Sequence, residues 1–213
     1  MSALPMPPRL VSLEGGEGAG KTSVLAALRA ELEACGREVV MTREPGGTPL
    51  AEKIRALLLH PGEEAVAAAP ALLLMFAARA QHGRGTVLPA LERGAWVLSD
   101  RFTDSSFAYQ GAGRGLDATF IEGLERRVVG IRPGLTLLLD IAVARGRARI
   151  QARDPVPDRI ERERDAFFER VRAAFLARAA AEPARFRVID ASLPMDEVVA
   201  EAVAALRASM DAA

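Results

Sequence analysis

The chain has 213 residues, half of them apolar, and carries 28 basic and 28 acidic side chains. Its length and apolar content exclude intrinsic disorder, and the balanced charge argues against a nucleic-acid partner, so any phosphate recognition must be local. No apolar stretch approaches 18 residues, which predicts no membrane partner. The single cysteine, Cys35, excludes an internal disulfide and fits a reducing cytoplasm.

The first predicted strand ends in a glycine-rich segment. An apolar run at 10–13 leads through Glu14 into the pattern G-x-x-x-x-G-K-[ST], and apolar residues follow it at helical spacing. In this P-loop, backbone N–H groups bind phosphate oxygens at a helix N-terminus, the lysine reaches the outer phosphates and the hydroxyl ligates Mg²⁺. A simple helix cap is the alternative, but a cap needs neither the lysine nor clustered glycines. The predicted ATP-binding residues are Gly15, Gly16, Glu17, Gly18, Ala19, Gly20, Lys21 and Thr22.

A second buried strand at 38–41 is followed by a loop and a helix. The loop at 42–48 contains Pro45 and two glycines, which forbid regular structure. Open parallel sheets bind ligands at the carboxyl ends of their strands, so this loop is a candidate site, although a plain turn is also compatible with the sequence. The helix is predicted at 49–60, with Arg55 beside its apolar face.

A longer helical region is predicted at about 67–93, with breaks around 82–83 and at Pro89. Phe76 and Arg79 lie three residues apart in this region and therefore share a helix face. A ring and a guanidinium on one face suit a flat ligand. Taken alone, Phe76 is better interpreted as a core residue.

A third strand at 95–99 ends in Asp100 and Arg101. A carboxylate and a guanidinium at this position face the same crevice as the P-loop. Asp100 resembles the second acid of P-loop proteins, which orders magnesium or its waters, and a surface ion pair is the alternative. The segment 105–111 then supplies hydroxyl and amide groups.

The rest of the chain continues the alternation of helices and strands. We predict strands at 135–140 and 187–190 and helices at 117–129, 162–181 and 195–210. Arginine is dense at about 145–161, and the absence of an apolar anchor predicts that this segment is exposed and mobile. It is predicted to be a lid that brings arginine onto the transferring phosphate. A solvated helix face is the alternative. The alternation predicts a single α/β domain spanning 1–213, with a five-stranded parallel sheet covered by helices on both faces.

Four segments, in this order, resemble bacterial thymidylate kinases, a family of P-loop nucleoside monophosphate kinases. They are the P-loop with its internal acid, Arg43-Glu44-Pro45-Gly46-Gly47-Thr48, Asp100-Arg101 with Ser106 and Tyr109-Gln110-Gly111, and the arginine lid ending in Asp158-Arg159-Ile160-Glu161. The resemblance spans about 10–206. It implies the three-layer P-loop NTPase fold and transfer of the γ-phosphoryl group of Mg-ATP to dTMP, giving dTDP for dTTP synthesis, in a cytoplasmic homodimer.

The resemblance also implies roles for individual side chains. Lys21 and Arg101 are expected catalytic cations, and Thr22 and Asp100 are expected at the Mg²⁺ ion. The expected contacts to dTMP are Glu17 at the 3′-hydroxyl, Arg55 and Arg101 at the phosphate, Phe76 under thymine, Arg79 at a base carbonyl, Ser106 and Gln110 at the base edge, and Tyr109 beside the 2′ position.

Some members of this group carry an arginine inside the P-loop, where this chain has Gly18. The resemblance therefore implies that catalytic positive charge comes from the lid, from Arg149 and Arg153. The lid departs from the family pattern by having Gln151 and two prolines, so the choice between the two arginines stays open. A P-loop switch or regulatory ATPase is another possible function, although no Asn-Lys-x-Asp guanine signature occurs, and a kinase for another monophosphate or small metabolite is a third.

Overall fold

The computed structural model describes residues 3–60, 66–151, 160 and 163–211, which form a parallel sheet and its covering helices. The strands are β1 (Leu10–Gly15), β2 (Val39–Arg43), β3 (Trp96–Asp100), β4 (Leu135–Asp140) and β5 (Phe186–Asp190). Their order is β2-β3-β1-β4-β5, with every neighbouring pair parallel. The five predicted strands are confirmed, with ends that differ by one or two residues.

The helices follow the predicted order. They are α1 (Lys21–Ala34), α2 (Pro49–Leu59), α3 (Ala68–His82), α4 (Leu88–Glu92), α5 (Thr103–Ser106), α6 (Ala118–Leu124), α7 (Val143–Gln151), α8 (Asp165–Ala181) and α9 (Met195–Asp211). Three π-helical segments extend α3, α5 and α6, at Gly83–Val87, Phe107–Gly113 and Glu125–Val129.

The predicted breaks near His82 and at Pro89 are wrong. The helical path runs without interruption from α3 through Gly83–Val87 into α4. Gly83 adopts right-handed helical dihedral angles, with φ −54° and ψ −51°. Pro89 is the second residue of α4, which directly follows the π-helical segment, so it lies where the hydrogen-bond pattern of the helix changes.

The sheet is covered by helices on both faces. Along β1 the side chains alternate, as they must in a strand. Val11 and Leu13 join the cluster formed with α1 and α9, whereas Leu10 packs on the other face with Val87 and Ala90. This burial of both faces explains why the strands are almost continuously apolar, and it confirms the predicted three-layer architecture.

Local signals in the sequence set the ends of the helices next to the site. Gly36, at φ +69°, follows the end of α1, where the left-handed region favours glycine. Thr48 caps α2 by accepting a hydrogen bond from the N–H of Ala51, and Pro49 occupies the first turn. Among the described residues, none of the helices has the length and apolarity that a membrane span requires.

Candidate active site

The P-loop joins β1 to α1, as its sequence predicts. Gly18 and Gly20 have φ values of +73° and +91°, and a Cβ at Gly18 would overlap the backbone carbonyl of Gly146. The Lys21 ammonium donates to the carbonyl oxygens of Gly15 and Gly16, at 3.3 and 3.1 Å. Burial, together with the charge of Arg101, lowers the pKa of Lys21 below its usual value. The loop therefore holds a cation over a closely packed turn.

Arg101 connects the P-loop to the end of β3. Its guanidinium donates to Glu17 Oε1 at 2.6 Å and to the carbonyl oxygen of Gly15 at 3.1 Å. It also lies 4.9 Å from the ring centroid of Tyr109, whose hydroxyl donates to Glu17 at 3.3 Å. Burial raises the pKa of Glu17, but the charges of Arg101 and Lys21 outweigh burial and hold that pKa below its usual value. Glu17 is thus a carboxylate that retains acceptor capacity.

Glu14, on β1 beneath this group, was missed by sequence reasoning. Its carboxylate is fully buried and accepts hydrogen bonds from the Phe102 N–H at 2.7 Å and from the Ser105 hydroxyl at 2.6 Å. Burial, with a contribution from the neighbouring Asp104 carboxylate, raises the pKa of Glu14 to about 7, while the charge of Arg101 opposes this rise.

Two side chains have the chemistry of a magnesium site beside the P-loop. Thr22 is exposed at the beginning of α1. Asp100 lies at the carboxyl end of β3, and its buried Oδ1 atom has no hydrogen-bond partner within the described part of the chain. Buried polar atoms are normally paired, so this oxygen has the character of a ligand. A hydroxyl and a carboxylate oxygen fit Mg²⁺, which takes a few oxygen ligands from protein and the rest from phosphates and water.

Arg79 is fixed by three buried hydrogen bonds at the opposite end of the site. Its Nε donates to Glu44 at 2.5 Å, and its two terminal nitrogens donate to the Ser106 hydroxyl at 3.0 Å and to the Phe102 carbonyl at 3.1 Å. The second oxygen of Glu44 contacts His82 Nδ1 at 2.9 Å. Each outer nitrogen of Arg79 keeps a second hydrogen, so the guanidinium can still donate to a ligand.

The loop after β2 also belongs to the site. The Glu44–Pro45 peptide bond is cis, and the carbonyl oxygen of Pro45 accepts a hydrogen bond from Arg55 at 2.9 Å. Gly47, at φ +82°, lies so close to His82 that a Cβ would overlap its ring. The loop is therefore a packed structure that holds Arg55 toward the site, and a plain turn does not describe it.

One cavity brings most of the predicted residues together. Nine side chains that the sequence singled out line it: Glu17, Lys21, Arg55, Arg79, Asp100, Arg101, Ser106, Tyr109 and Gln110. Seven lining residues were not assigned to the site from the sequence: Arg43, Glu44, Pro45, Leu59, Met75, Ser105 and Ile160. The sequence signal that leads to four of them is their position in two predicted segments, Arg43, Glu44 and Pro45 in the loop at 42–48 and Ser105 in the segment 105–111.

Phe76 does not line this cavity. Its ring is 1% exposed and packs with Leu72 and Ile121, and the Arg79 guanidinium lies 4.8 Å from the ring centroid. Met75, the preceding residue, lines the cavity instead. That Phe76 lies under a base stays a prediction, since its ring lies directly behind the Arg79 guanidinium that lines the cavity. Met75 and Arg79 are four residues apart and share a helix face.

The arginine-rich helix α7 packs against the P-loop. Arg149 donates to the carbonyl oxygens of Gly18, at 3.3 Å, and Ala191, at 3.0 Å. Arg147 donates to the Glu163 carbonyl at 2.9 Å. Both side chains are partly buried, whereas the neighbouring Arg145 and Ala148 are exposed. Residues 152–159 and 161 of the predicted lid, which include Arg153, lie outside the described residues.

This geometry can now be compared with known proteins. A sequence model described as thymidylate kinase matches residues 13–202. The chain belongs to the thymidylate kinase family. It is 55% identical over 202 residues to a thymidylate kinase of Chromohalobacter salexigens, covering 94% of this chain and 95% of that protein, and 57% identical over 189 residues to one of Pseudomonas fluorescens, covering 88% and 90%.

A solved structure supports the same assignment. The crystal structure of the Ehrlichia chaffeensis thymidylate kinase matches with a TM-score of 0.75 and 30% identity, covering 96% of this chain and 99% of that one. Membership of the thymidylate kinase family confirms the predicted P-loop NTPase fold. The reaction of the family is phosphorylation of dTMP to dTDP by ATP, so the chain is a phosphotransferase with ATP and dTMP as its substrates.

Proposed function

We propose that dTMP occupies the cavity with its 5′-phosphate against Arg101 and Arg55 and its base toward Arg79. The observation that carries this proposal is that the guanidiniums of Arg101 and Arg79 line the same cavity as Lys21 of the P-loop. Cations at one end suit a phosphate, and the buried donors of Arg79 suit a base carbonyl. The cavity thus has the polarity that a nucleoside monophosphate requires.

At the base, the Phe76 ring lies 4.8 Å from the Arg79 guanidinium and remains a candidate contact, while the cavity wall itself carries Met75. Its thioether lines the cavity four residues before Arg79, and an unbranched, polarisable side chain can cover the face of a thymine ring. Ser106, which already accepts from Arg79, and the buried Gln110 supply polar groups for the base edge. We propose that these four residues form the thymine pocket.

At the sugar, Glu17 accepts the 3′-hydroxyl of dTMP. Glu17 is ionised and shares its Oε1 between Arg101 and Tyr109, so its other oxygen is available as an acceptor. The Tyr109 ring is held against Arg101 and against the rings of Phe167 and Phe175. A ring fixed from three sides leaves little room at the 2′ position, which favours deoxyribose.

ATP binds along the P-loop. The amides of residues 15–22 and the Lys21 ammonium contact its phosphates at the N-terminus of α1. Thr22 and Asp100 would hold Mg²⁺, and the Oδ1 of Asp100, which has no hydrogen-bond partner among the described residues, supports this assignment. When bound, the ion neutralises negative charge on the phosphates and orients them.

Catalysis requires alignment and charge neutralisation. The acceptor atom is already an anionic phosphate oxygen, so no general base is needed to remove a proton. Two anionic groups must approach each other, and Lys21 and Arg101, which both donate to the Gly15 carbonyl, supply the compensating positive charge. Fixed cations lower the barrier because their positions are held before the reaction begins. The Glu17–Arg101 bond at 2.6 Å fixes one of these cations.

A lid arginine completes the positive charge. Arg149 is bonded to the P-loop carbonyl of Gly18, which supports a place for it beside the ATP phosphates. The P-loop sequence contains no arginine, and a side chain at Gly18 would overlap the backbone of Gly146 in α7. Arg153 is the second candidate for the catalytic arginine.

We also propose that the chain is one domain that forms a cytoplasmic homodimer through the outer surface of α2, α3 and α6. The three helices are joined by buried contacts, and their outward apolar side chains are Leu57, Leu73 and Phe120, which are 64%, 50% and 42% exposed. Apolar side chains on neighbouring helices are typical of a self-association surface. The free Cys35 is consistent with a reducing compartment. Light scattering of the wild type and of Leu73→Lys tests the dimer, which the lysine should dissociate.

The acceptor can be tested directly. Protein and ATP with Mg²⁺ are mixed with dTMP, dUMP, dCMP, dGMP or dAMP in turn, and ADP is measured. We expect rapid ADP formation with dTMP and little without an acceptor. ADP release that ignores the monophosphate would indicate a P-loop ATPase or switch, and preference for a different monophosphate would indicate another kinase.

A further inference from the structure

The backbone at Arg101 is unusual. With φ at +71°, Arg101 is the only residue other than glycine that has a left-handed backbone in the part of the chain that the structure describes. Such a conformation is disfavoured for a residue with a Cβ and persists only where surrounding contacts impose it. It turns the side chain away from the direction of β3 and toward Gly15 and Glu17 of the P-loop. The backbone of this one residue therefore sets where its guanidinium lies.

Three hydrogen bonds hold this turn. The N–H of Arg101 donates to the Leu13 carbonyl at 2.9 Å, and the Ser99 hydroxyl donates to the Arg101 carbonyl at 2.7 Å. The next N–H, of Phe102, donates to Glu14 Oε1 at 2.7 Å. Glu14 supplies the only side-chain acceptor of the three, and it lies on the neighbouring strand.

The second oxygen of Glu14 acts on the side chain of Arg101. It accepts the Ser105 hydroxyl at 2.6 Å, and the Ser105 oxygen in turn accepts Arg101 Nη1 at 3.2 Å. One carboxylate thus fixes both the peptide that follows Arg101 and the serine to which the guanidinium is bound. Glu14 is fully buried and is not among the residues that line the cavity, so it acts through Arg101 and Ser105.

We propose that Glu14 is a positioning residue for phosphoryl transfer, which holds Arg101 in the left-handed conformation that aims its guanidinium at the acceptor phosphate. The proposal rests on the role of Arg101 given under Proposed function. A carboxylate suits this task because it offers two acceptors to two donors that converge on it, the Phe102 N–H and the Ser105 hydroxyl. A buried carboxyl is costly where the neighbouring strand positions are apolar, so stability alone does not account for its presence.

A double-mutant cycle tests the proposal. Glu14→Ala, Arg101→Ala and the double variant are assayed at pH 8 for the kcat and KM of dTMP and of ATP. Circular dichroism and active-site titration correct for unfolded protein. In Glu14→Ala we expect kcat/KM for dTMP to fall at least about tenfold, the effect of losing hydrogen bonds to a charged group, while KM for ATP stays within about twofold. In the Arg101→Ala background, Glu14→Ala should change kcat/KM by less than about twofold.

Two further variants keep the result decisive. Ser12→Ala is the matched control, because Ser12 is buried on the same strand but bonds to Thr136 of β4, away from Arg101, and its removal should leave both KM values unchanged. Glu14→Gln keeps an acceptor for the Phe102 N–H and should recover part of the loss; it replaces Glu14→Ala in the cycle if the alanine variant does not fold.

The outcomes separate the two claims. Suppose that Arg101→Ala lowers kcat/KM for dTMP, and that Glu14→Ala lowers it by the same factor whether Arg101 is present or not. The positioning role is then overturned while the Arg101 role stands. If Glu14→Ala leaves kcat/KM for dTMP unchanged, the positioning role is again overturned. If Arg101→Ala itself leaves dTMP kinetics unchanged, the role of Arg101 is wrong and the inference falls with it.

Discussion

Met75 and Phe76 are adjacent on α3, yet their side chains have opposite surroundings. Met75 lines the cavity, whereas Phe76 is 1% exposed and packs with Leu72 and Ile121. Met75→Ala removes three heavy atoms from a side chain that lines the cavity. At about 0.8 kcal/mol per buried methylene, we expect dTMP binding to weaken by about 1–2 kcal/mol, or roughly five- to thirtyfold in Kd.

The matched variant is Phe76→Leu, which should have the opposite profile. It shrinks a core side chain, so we expect a loss of about 1 kcal/mol in the free energy of unfolding and a fall of roughly 2–4 °C in Tm. Its dTMP affinity should stay within about twofold of the wild type, because Arg79 keeps its hydrogen bonds to Glu44, Ser106 and Phe102.

Titration calorimetry measures the Kd of dTMP, and thermal unfolding of the same samples measures Tm. The reasoning is refuted if Phe76→Leu weakens dTMP binding more than Met75→Ala does. That result would place Phe76 in the base pocket, beside the Arg79 guanidinium that its ring contacts.

The remaining predictions concern the cations and the buried acid. Lys21→Ala should lower kcat at least about 10²-fold with the fold retained, and near-normal turnover would remove the P-loop lysine from the mechanism. Of Arg149→Ala and Arg153→Ala, the variant that removes the catalytic arginine should lower kcat by about 10³-fold with little change in KM for ATP; if both change only that KM, the lid is a binding clamp. The native pKa of Glu14, about 7, exceeds its ordinary value of 4.5, so the native state binds this proton more tightly than the unfolded state does. The contribution of this bound proton to the free energy of unfolding is complete below pH 4.5 and is lost as the pH rises through 7. The loss is at most about 3 kcal/mol. Urea unfolding should therefore depend less on pH between 5 and 8 in Glu14→Gln than in the wild type, and equal slopes would contradict the raised pKa.

The sheet and the P-loop are predictable from the sequence because their signals are local. Strands such as β4 are short apolar runs that end in polar residues, and the P-loop pattern contains its own chemical explanation. Arg101 and Asp100 follow from the rule that ligands bind at the carboxyl ends of parallel strands.

The local sequence does not determine which side of α3 faces the cavity. Phe76 is three residues and Met75 four residues before Arg79, and both spacings place a side chain on the same face as Arg79. Both residues are apolar, so only the packing of Phe76 against Leu72 and Ile121 decides which one faces the cavity.

Glu14 escapes sequence reasoning for a related reason. It precedes the P-loop in a strand that is otherwise buried and apolar, and its partners Phe102 and Ser105 lie 88 and 91 residues further along the chain. Glu44 and Arg79 are likewise 35 residues apart. Long-range hydrogen bonds of this kind depend on the assembled sheet, which no local pattern specifies.

The central claim is that two nucleotides meet end to end above one edge of the sheet, between fixed cations. A crystal structure with dTMP and a non-hydrolysable ATP analogue tests it most directly. We expect the 5′-phosphate of dTMP at Arg101, its base beside Met75 and Arg79, and the terminal phosphate of the analogue at Lys21, in line with the acceptor oxygen. A dTMP molecule bound elsewhere, or one whose phosphate lies away from Arg101, would contradict the account.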